Sequence, residues 1–199
     1  MGGRHFLVVL AHPLPDSYAA ALARSIVETL EAHGHRVDLL DLYAEDFDPR
    51  LTAAERASYM TADYDSSAVS SLIARLQVAD GLILVFPQWW FNLPAILKGF
   101  IDRVFVPGVA FDHAADGGRL IPRLDHVRTF WAVTTTGSPW WIVHFYMGNP
   151  VKRLLKRGVA TFCARNVDFR MLCLHDMDRV SAGGRRRFID TVRAAVTRL

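Results

Sequence analysis

The chain has 199 residues, 51% of them hydrophobic, which is enough to bury a sizeable core in one domain, residues 1–199. No run approaches the roughly 20 consecutive apolar residues of a membrane span. Lys and Arg number 23 against 20 Asp and Glu, a net charge of +3; with no stacking or groove-reading motif beside it, nucleic-acid binding is not expected.

The opening residues run straight into a strand at 5–11 (His-Phe-Leu-Val-Val-Leu-Ala), without the pattern of a secretory leader. Phe6 also argues against myristoylation of Gly2. Ser17 reads as a helix N-cap, and Leu22, Ile26 and Leu30 form an apolar stripe that ends at Gly34. A second strand is predicted at 36–42, followed by helical stretches at 52–60 and 65–79. Residues 82–86 are continuously apolar, as in a strand buried on both faces of a parallel sheet. Over 93–105, Ile96, Leu97, Phe100, Ile101, Val104 and Phe105 recur at helical spacing.

A fourth strand at 127–133 runs into Thr134, Thr135, Thr136 and Gly137. Residues 149–164 read as a basic amphipathic helix with Pro150 in its first turn. A fifth strand is expected at 167–174 and a closing helix at 181–199. This alternation predicts an α/β fold, a five-stranded parallel sheet with helices on both faces. The basic clusters at 152–157 and 185–187 read as solvated helix faces. Cys163 and Cys173, in apolar surroundings and without CxxC spacing, read as buried thiols of a reducing cytoplasm.

In such a sheet the loops after the first, third and fourth strands meet at the carboxyl edge, where doubly wound folds bind ligands. These loops, 11–17, 87–93 and 134–146, are also the most chemically unusual stretches of the chain. The first brings His12 and Ser17 to the start of a helix, whose free amides and dipole suit a phosphate. The second carries Gln88, Trp89, Trp90 and Phe91, a turn suited to a planar, partly apolar cofactor or to a subunit interface. The third adds hydroxyls, Gly137, the pair Trp140 and Trp141, then His144 and Tyr146. No GxSxG, HExxH or zinc-spaced cysteine motif is present, so a metal site is not expected and a bound organic cofactor is the natural carrier of chemistry.

With these residues in view, the chain resembles the flavodoxin-like NAD(P)H:quinone oxidoreductases, which include the DT-diaphorases, the modulators of drug activity and the ancillary flavoproteins of potassium-efflux systems. The resemblance rests on Ala11-His12-Pro13 with Ser17-Tyr18, on Phe86-Pro87 through Trp90-Phe91, on the Thr134–Gly137 turn, and above all on the block Pro94-Ala95-Ile96-Leu97-Lys98-Gly99-Phe100-Ile101-Asp102-Arg103-Val104-Phe105. It implies a flavodoxin-like three-layer sandwich that binds FAD, or FMN, and uses NAD(P)H to reduce a quinone or similar acceptor by a ping-pong mechanism. By resemblance His12, Ser17, Tyr18 and Ala19 face the phosphate-bearing tail. Pro87, Gln88, Trp89, Trp90, Phe91, Thr134, Thr135, Thr136 and Gly137 hold the ring. His144 and Tyr146 take catalytic places, and Phe111, Trp140 and Trp141 contact substrate, Phe111 in a partner subunit of a homodimer. Ala19 stands where relatives often carry Asn. The alternatives are a regulatory flavin-binding subunit of a transporter and a flavodoxin-type electron carrier, the latter disfavoured by the basic charge.

Overall fold

The computed structural model describes residues 2–59, 61, 64–114 and 118–199. Among these, the strands are β1 (His5–Leu10), β2 (Arg36–Asp41), β3 (Gly81–Pro87), β4 (Phe111–His113), β5 (Leu120–Pro122), β6 (Thr129–Thr135) and β7 (Asp168–Leu174). Five form one parallel sheet in the order β2-β1-β3-β6-β7. The register sets Val8 beside both Leu39 and Ile83, and Ala132 beside both Leu84 and Met171. The α-helices are α1 (Tyr18–Ala32), α2 (Ala53–Ser58), α3 (Ser70–Gln77), α4 (Ala95–Val104), α5 (Pro150–Arg153) and α6 (Ala182–Val196).

Alternation along each strand divides the core in two. Phe6, Val8, Ile83, Val85, Trp131 and Val133 pack against α1 and α6. Leu7, Val9, Leu82, Leu84, Phe130 and Ala132 pack against α3, α4 and the segment that follows α5. The central strands are buried on both faces, which is why they read as unbroken apolar runs rather than alternating ones.

The predicted strands all form, with ends shifted by one or two residues, and Ser17 caps α1 by accepting from the Ala20 N–H at 3.1 Å. Three expectations change. The stretch 65–79 divides into a 3₁₀ turn (Ser67–Val69) and α3, and the predicted end of the 52–60 helix, Met60, lies outside the described residues. The predicted helix at 149–164 is only four residues of α-helix before it widens into a π-helical segment (Leu154–Val159) and a 3₁₀ turn (Ala160–Phe162). Val151, Leu155 and Val159 are all buried at a spacing of four; an α-helix of 3.6 residues per turn would let that stripe drift, and the wider turn keeps it on the core. Finally, β4 and β5 form an antiparallel hairpin from residues with no sequence signal for strands.

The Leu97–Phe105 part of the characteristic block is structural. Gly99 lies against the loop before α2, where an added Cβ would sit 2.3 Å from the Pro49 carbonyl oxygen. One turn later Arg103, 4% exposed, pairs with Glu55, 3% exposed, through Nη2 and Nε at 2.6 and 2.8 Å from Oε1. Its Nη1 donates to the Asp48 carbonyl. Glu55 Oε2 accepts from the Thr52 N–H at 2.7 Å, completing a capping box.

Removing one member of a buried pair leaves the other charge uncompensated. Arg103→Met is therefore expected to lose about 3–5 kcal/mol in urea unfolding at neutral pH. Burial tends to raise the Glu55 pKa, but hydrogen bonds from Thr52 and Arg103 outweigh it and hold the carboxyl below its ordinary value. A depressed folded-state pKa stabilises above the unfolded carboxyl value of about 4.3 and is lost as pH falls through the folded value. Glu55→Gln should thus be less stable than wild type at pH ~7, with the gap closing below about pH 4 as Glu55 itself protonates. Equal stability at neutral pH would contradict this account.

Candidate functional site

The first loop delivers the start of α1 to the carboxyl edge of the sheet. The N–H groups of Tyr18 and Ala19, the first two helical residues, have no acceptor within the helix, and the dipole adds positive potential there. Ser17 spends its hydroxyl on the cap. His12 Nδ1 accepts from the Leu14 N–H at 3.1 Å, which places the ring proton of the neutral imidazole on Nε2. Asp16 is exposed and does not line the cleft described below.

Tyr18 also joins two helices. Its hydroxyl donates to the Arg185 carbonyl at 2.7 Å, tying α1 to α6. Burial pushes its pKa up to about 12, with the Arg185 guanidinium acting the other way, so it is a neutral phenol at ordinary pH.

The second loop is a tight reversal. Trp89 and Asn92 exchange backbone hydrogen bonds at 3.2 and 2.9 Å, and the two residues between them, Trp90 and Phe91, both have left-handed backbone, with φ of 53° and 56°. Such a turn normally takes Asn and Gly, because a Cβ in this region costs roughly 1–2 kcal/mol per residue. Two bulky aromatics here are a strained feature of the kind that clusters at functional sites. The turn leaves Trp90 97% exposed, while Trp89 stands with its ring centroid 6.2 Å from that of His12. The Gln88 N–H donates to the Thr135 carbonyl at 2.7 Å and locks the loop to β6.

These loops enclose a cleft of about 470 Å³. Of the predicted residues, His12, Ser17, Tyr18, Ala19, Pro87, Gln88, Trp89, Thr135, Thr136 and Gly137 line it. Thr134 does not, because it lies fully buried within β6. Met177, Asp178 and Arg185, which the sequence did not single out, complete the wall. Asp178 comes so close that a Cβ on Gly137 would meet its Oδ2 at 2.6 Å, which is why a glycine ends the third loop's threonine run. Two buried polar atoms on this wall have no partner: Gln88 Oε1, on a side chain only 6% exposed, and Arg185 Nε. Orphaned groups of this kind are expensive unless a ligand satisfies them.

The rest of the third loop does not join the cleft. It forms a π-helical turn (Ile142–Tyr146), and Trp140 and His144 border a second cavity of about 230 Å³ with Val143, Asn149, Lys152, Met171, Cys173 and His175. His144 stacks on Trp140 with centroids 4.6 Å apart, its Nδ1 3.0 Å from the Trp140 carbonyl and its Nε2 3.1 Å from Asn149 Nδ2. Burial, and then the neighbouring His144, hold the His175 pKa below the ordinary imidazole value. Trp141 and Tyr146 are exposed and border neither space, so the catalytic place expected for Tyr146 and the substrate contact expected for Trp141 are not formed within this chain. Phe111 is 7% exposed and packs against Phe162 with ring centroids 5.2 Å apart, closing the hairpin over the core.

The thiols offer no nucleophile. Burial pushes Cys163 and Cys173 up to about 12, the hydrogen bond from Gln88 Nε2 to Cys173 Sγ at 3.4 Å acting only partly against it. Among the described residues no group of three or more His, Cys, Asp or Glu side chains is arranged to hold a metal ion, and no helix is long and apolar enough to cross a membrane.

Comparison with known proteins agrees with this geometry. A family model described as a flavodoxin-like fold matches residues 4–193. The crystal structure of Smu.1420 from Streptococcus mutans superposes with a TM-score of 0.84 at 30% identity, covering 98% of this chain and 100% of that one. A ribosyldihydronicotinamide dehydrogenase-like protein, traD, of Penicillium crustosum is 42% identical over 51% of this chain and 44% of its own length. The ribosyldihydronicotinamide dehydrogenase [quinone] of Pongo abelii is 34% identical over 69% of this chain and 66% of its own. The chain thus spans about half to two thirds of the curated relatives it matches. A match of that extent, over a sheet whose carboxyl edge carries the cleft, shows that the chain belongs to the flavodoxin-like NAD(P)H:quinone oxidoreductase family.

Proposed function

We propose that this chain is a flavin-dependent oxidoreductase that uses NAD(P)H to reduce a quinone or similar small acceptor. The observation that carries the reading is the pair of orphaned atoms at the cleft, Arg185 Nε beside the free amides of α1 and Gln88 Oε1 beside Trp89. The first is a cationic donor set fit for a phosphate; the second is an acceptor for a ring N–H next to an aromatic wall. FAD is the proposed form and FMN the alternative, since both carry riboflavin phosphate.

When bound, the flavin supplies hydride acceptance from the nicotinamide and two-electron delivery to the acceptor, so that NAD(P)H, a proton and quinone become NAD(P)⁺ and hydroquinone. The chain's own part is placement. The α1 amides and Arg185 would hold the phosphate, Asp178 would accept from polyol hydroxyls, and Gln88 would fix the ring edge. The Gly137 N–H would favour negative charge on a reduced ring. Both substrates use one face in turn, which is a ping-pong order. The large apolar surfaces of Trp141, Phe145 and Tyr146 support a homodimer in which a second copy covers them. The unpaired cysteines suit a reducing cytoplasm.

Purified protein should show flavin absorbance, or acquire it with added FAD or FMN, and double-reciprocal plots at several quinone concentrations should be parallel. Colourless protein that takes up neither flavin would overturn the reading, and intersecting lines would overturn the ping-pong order.

The strained turn makes a separate prediction. Trp90→Gly removes a side chain that buries almost nothing and relieves about 1–2 kcal/mol of left-handed strain, against about 0.5–1 kcal/mol of added chain entropy. The apoprotein should be as stable as wild type or slightly more so in urea. Flavin affinity should fall by up to about tenfold if the indole covers the ring. An apoprotein loss near the roughly 3–5 kcal/mol of an emptied aromatic core site would contradict this placement.

A further inference from the structure

The second cavity carries no role in the reading above, yet its lining is chemically one-sided. Lys152, exposed and without a carboxylate partner among the described residues, is the cation on its border, and neither Asp nor Glu borders the cavity among them. The imidazoles of His144 and His175 stand 5.4 Å apart, and His175 Nδ1 lies 3.9 Å from the Cys173 thiol. Asn149 is held in left-handed backbone at φ 50°, and its buried Oδ1 has no partner. Trp140 supplies a flat wall.

A hydrogen bond joins the lining of the cavity to that of the cleft. Cys173 borders the cavity, and the thiol accepts from the amide of Gln88, whose other atom is the orphan in the cleft. Its volume of about 230 Å³ is below the roughly 300–1,000 Å³ of pockets that take whole ligands. It therefore suits one substituent of a molecule seated in the cleft.

We propose that this cavity is an anion subsite, in which Lys152, His144, His175 and Asn149 receive a carboxylate, sulfonate or phosphate group carried by one of the two substrates. The proposal rests on the oxidoreductase reading, because the substrate's remaining bulk occupies the neighbouring cleft. An anion favours protonation of the two imidazoles. With Nε2 of His144 protonated, the Asn149 carboxamide turns over, so that Oδ1 accepts that proton's hydrogen bond and Nδ2 becomes one more donor. The anion thereby removes the one unsatisfied atom of the cavity.

Two substrates bring such a group: an acidic acceptor, or NADPH with the ribose phosphate that NADH lacks. The test measures kcat/KM of the flavin-loaded protein for naphthoquinone sulfonate against naphthoquinone, and for NADPH against NADH, in wild type and in Lys152→Met. In one pair the member with the extra anionic group should lose about tenfold relative to the member without it, the value of one charge-assisted contact, and that pair names the source of the anion. Both ratios unchanged would overturn the subsite, and turnover of naphthoquinone with NADH would show that the flavin reading still stands. If the protein binds no flavin, that reading fails. The subsite is then decided by the side-chain NMR signals of His144 and His175 titrated with naphthalene sulfonate: shifts in wild type that weaken in Lys152→Met support it, and their absence overturns it.

Discussion

The buried pairing of Arg103 with Glu55 is the contact on which the carboxyl edge depends. Withdrawing both charges from water is costly, and the cost is offset only because every strong donor and acceptor is met: Glu55 by Arg103 and Thr52, Arg103 by Glu55 and Asp48. The pair pins the far end of α4 to α2, the Asp48 carbonyl ties it to the loop before α2, and Gly99 permits the close approach there. Only three residues separate the fixed helix start at Ala95 from Phe91, and Gln88 is tied to β6 on the other side. A turn held so firmly at both ends can keep two aromatic residues in left-handed backbone, where a looser one would relax.

The electrostatics of the edge follow from the same framework. Parallel strands and right-handed crossovers bring the α1 amides and Arg185 to one end of the cleft. Asp178 is the one carboxylate on the wall, set against Gly137. Tyr18 and Cys173 are both kept neutral by burial, so neither offers an ionised nucleophile. What the cleft offers is a shaped, polarised resting place, which fits a protein that positions a redox group.

Much of this was legible from local patterns. Apolar runs located the strands, Ser17 located the helix start, and the three unusual loops do converge in part. The block at 94–105 carried the resemblance to the family, and the structure gives Gly99 and Arg103 in it a part in the fold. Arg185 was hidden because 185–187 is three successive arginines, and which one turns inward is decided by the tertiary contact with Tyr18. The third loop was read as one unit, yet its π-helical turn carries Trp140 and His144 into a separate space and leaves Trp141 and Tyr146 in solvent. The burial of Phe111 was not legible because the β4–β5 hairpin that covers it has no periodic signal of its own.

The central claim is that a riboflavin phosphate lies with its phosphate on the start of α1 and against Arg185. Titration of apoprotein with FMN and with riboflavin, which lacks only the phosphate, tests it most directly. FMN should bind on the order of a hundredfold more tightly, from two or more charge-assisted contacts, and Arg185→Met should shrink that gap by about tenfold while leaving riboflavin affinity nearly unchanged. Equal affinities for the two compounds in wild type would contradict the placement.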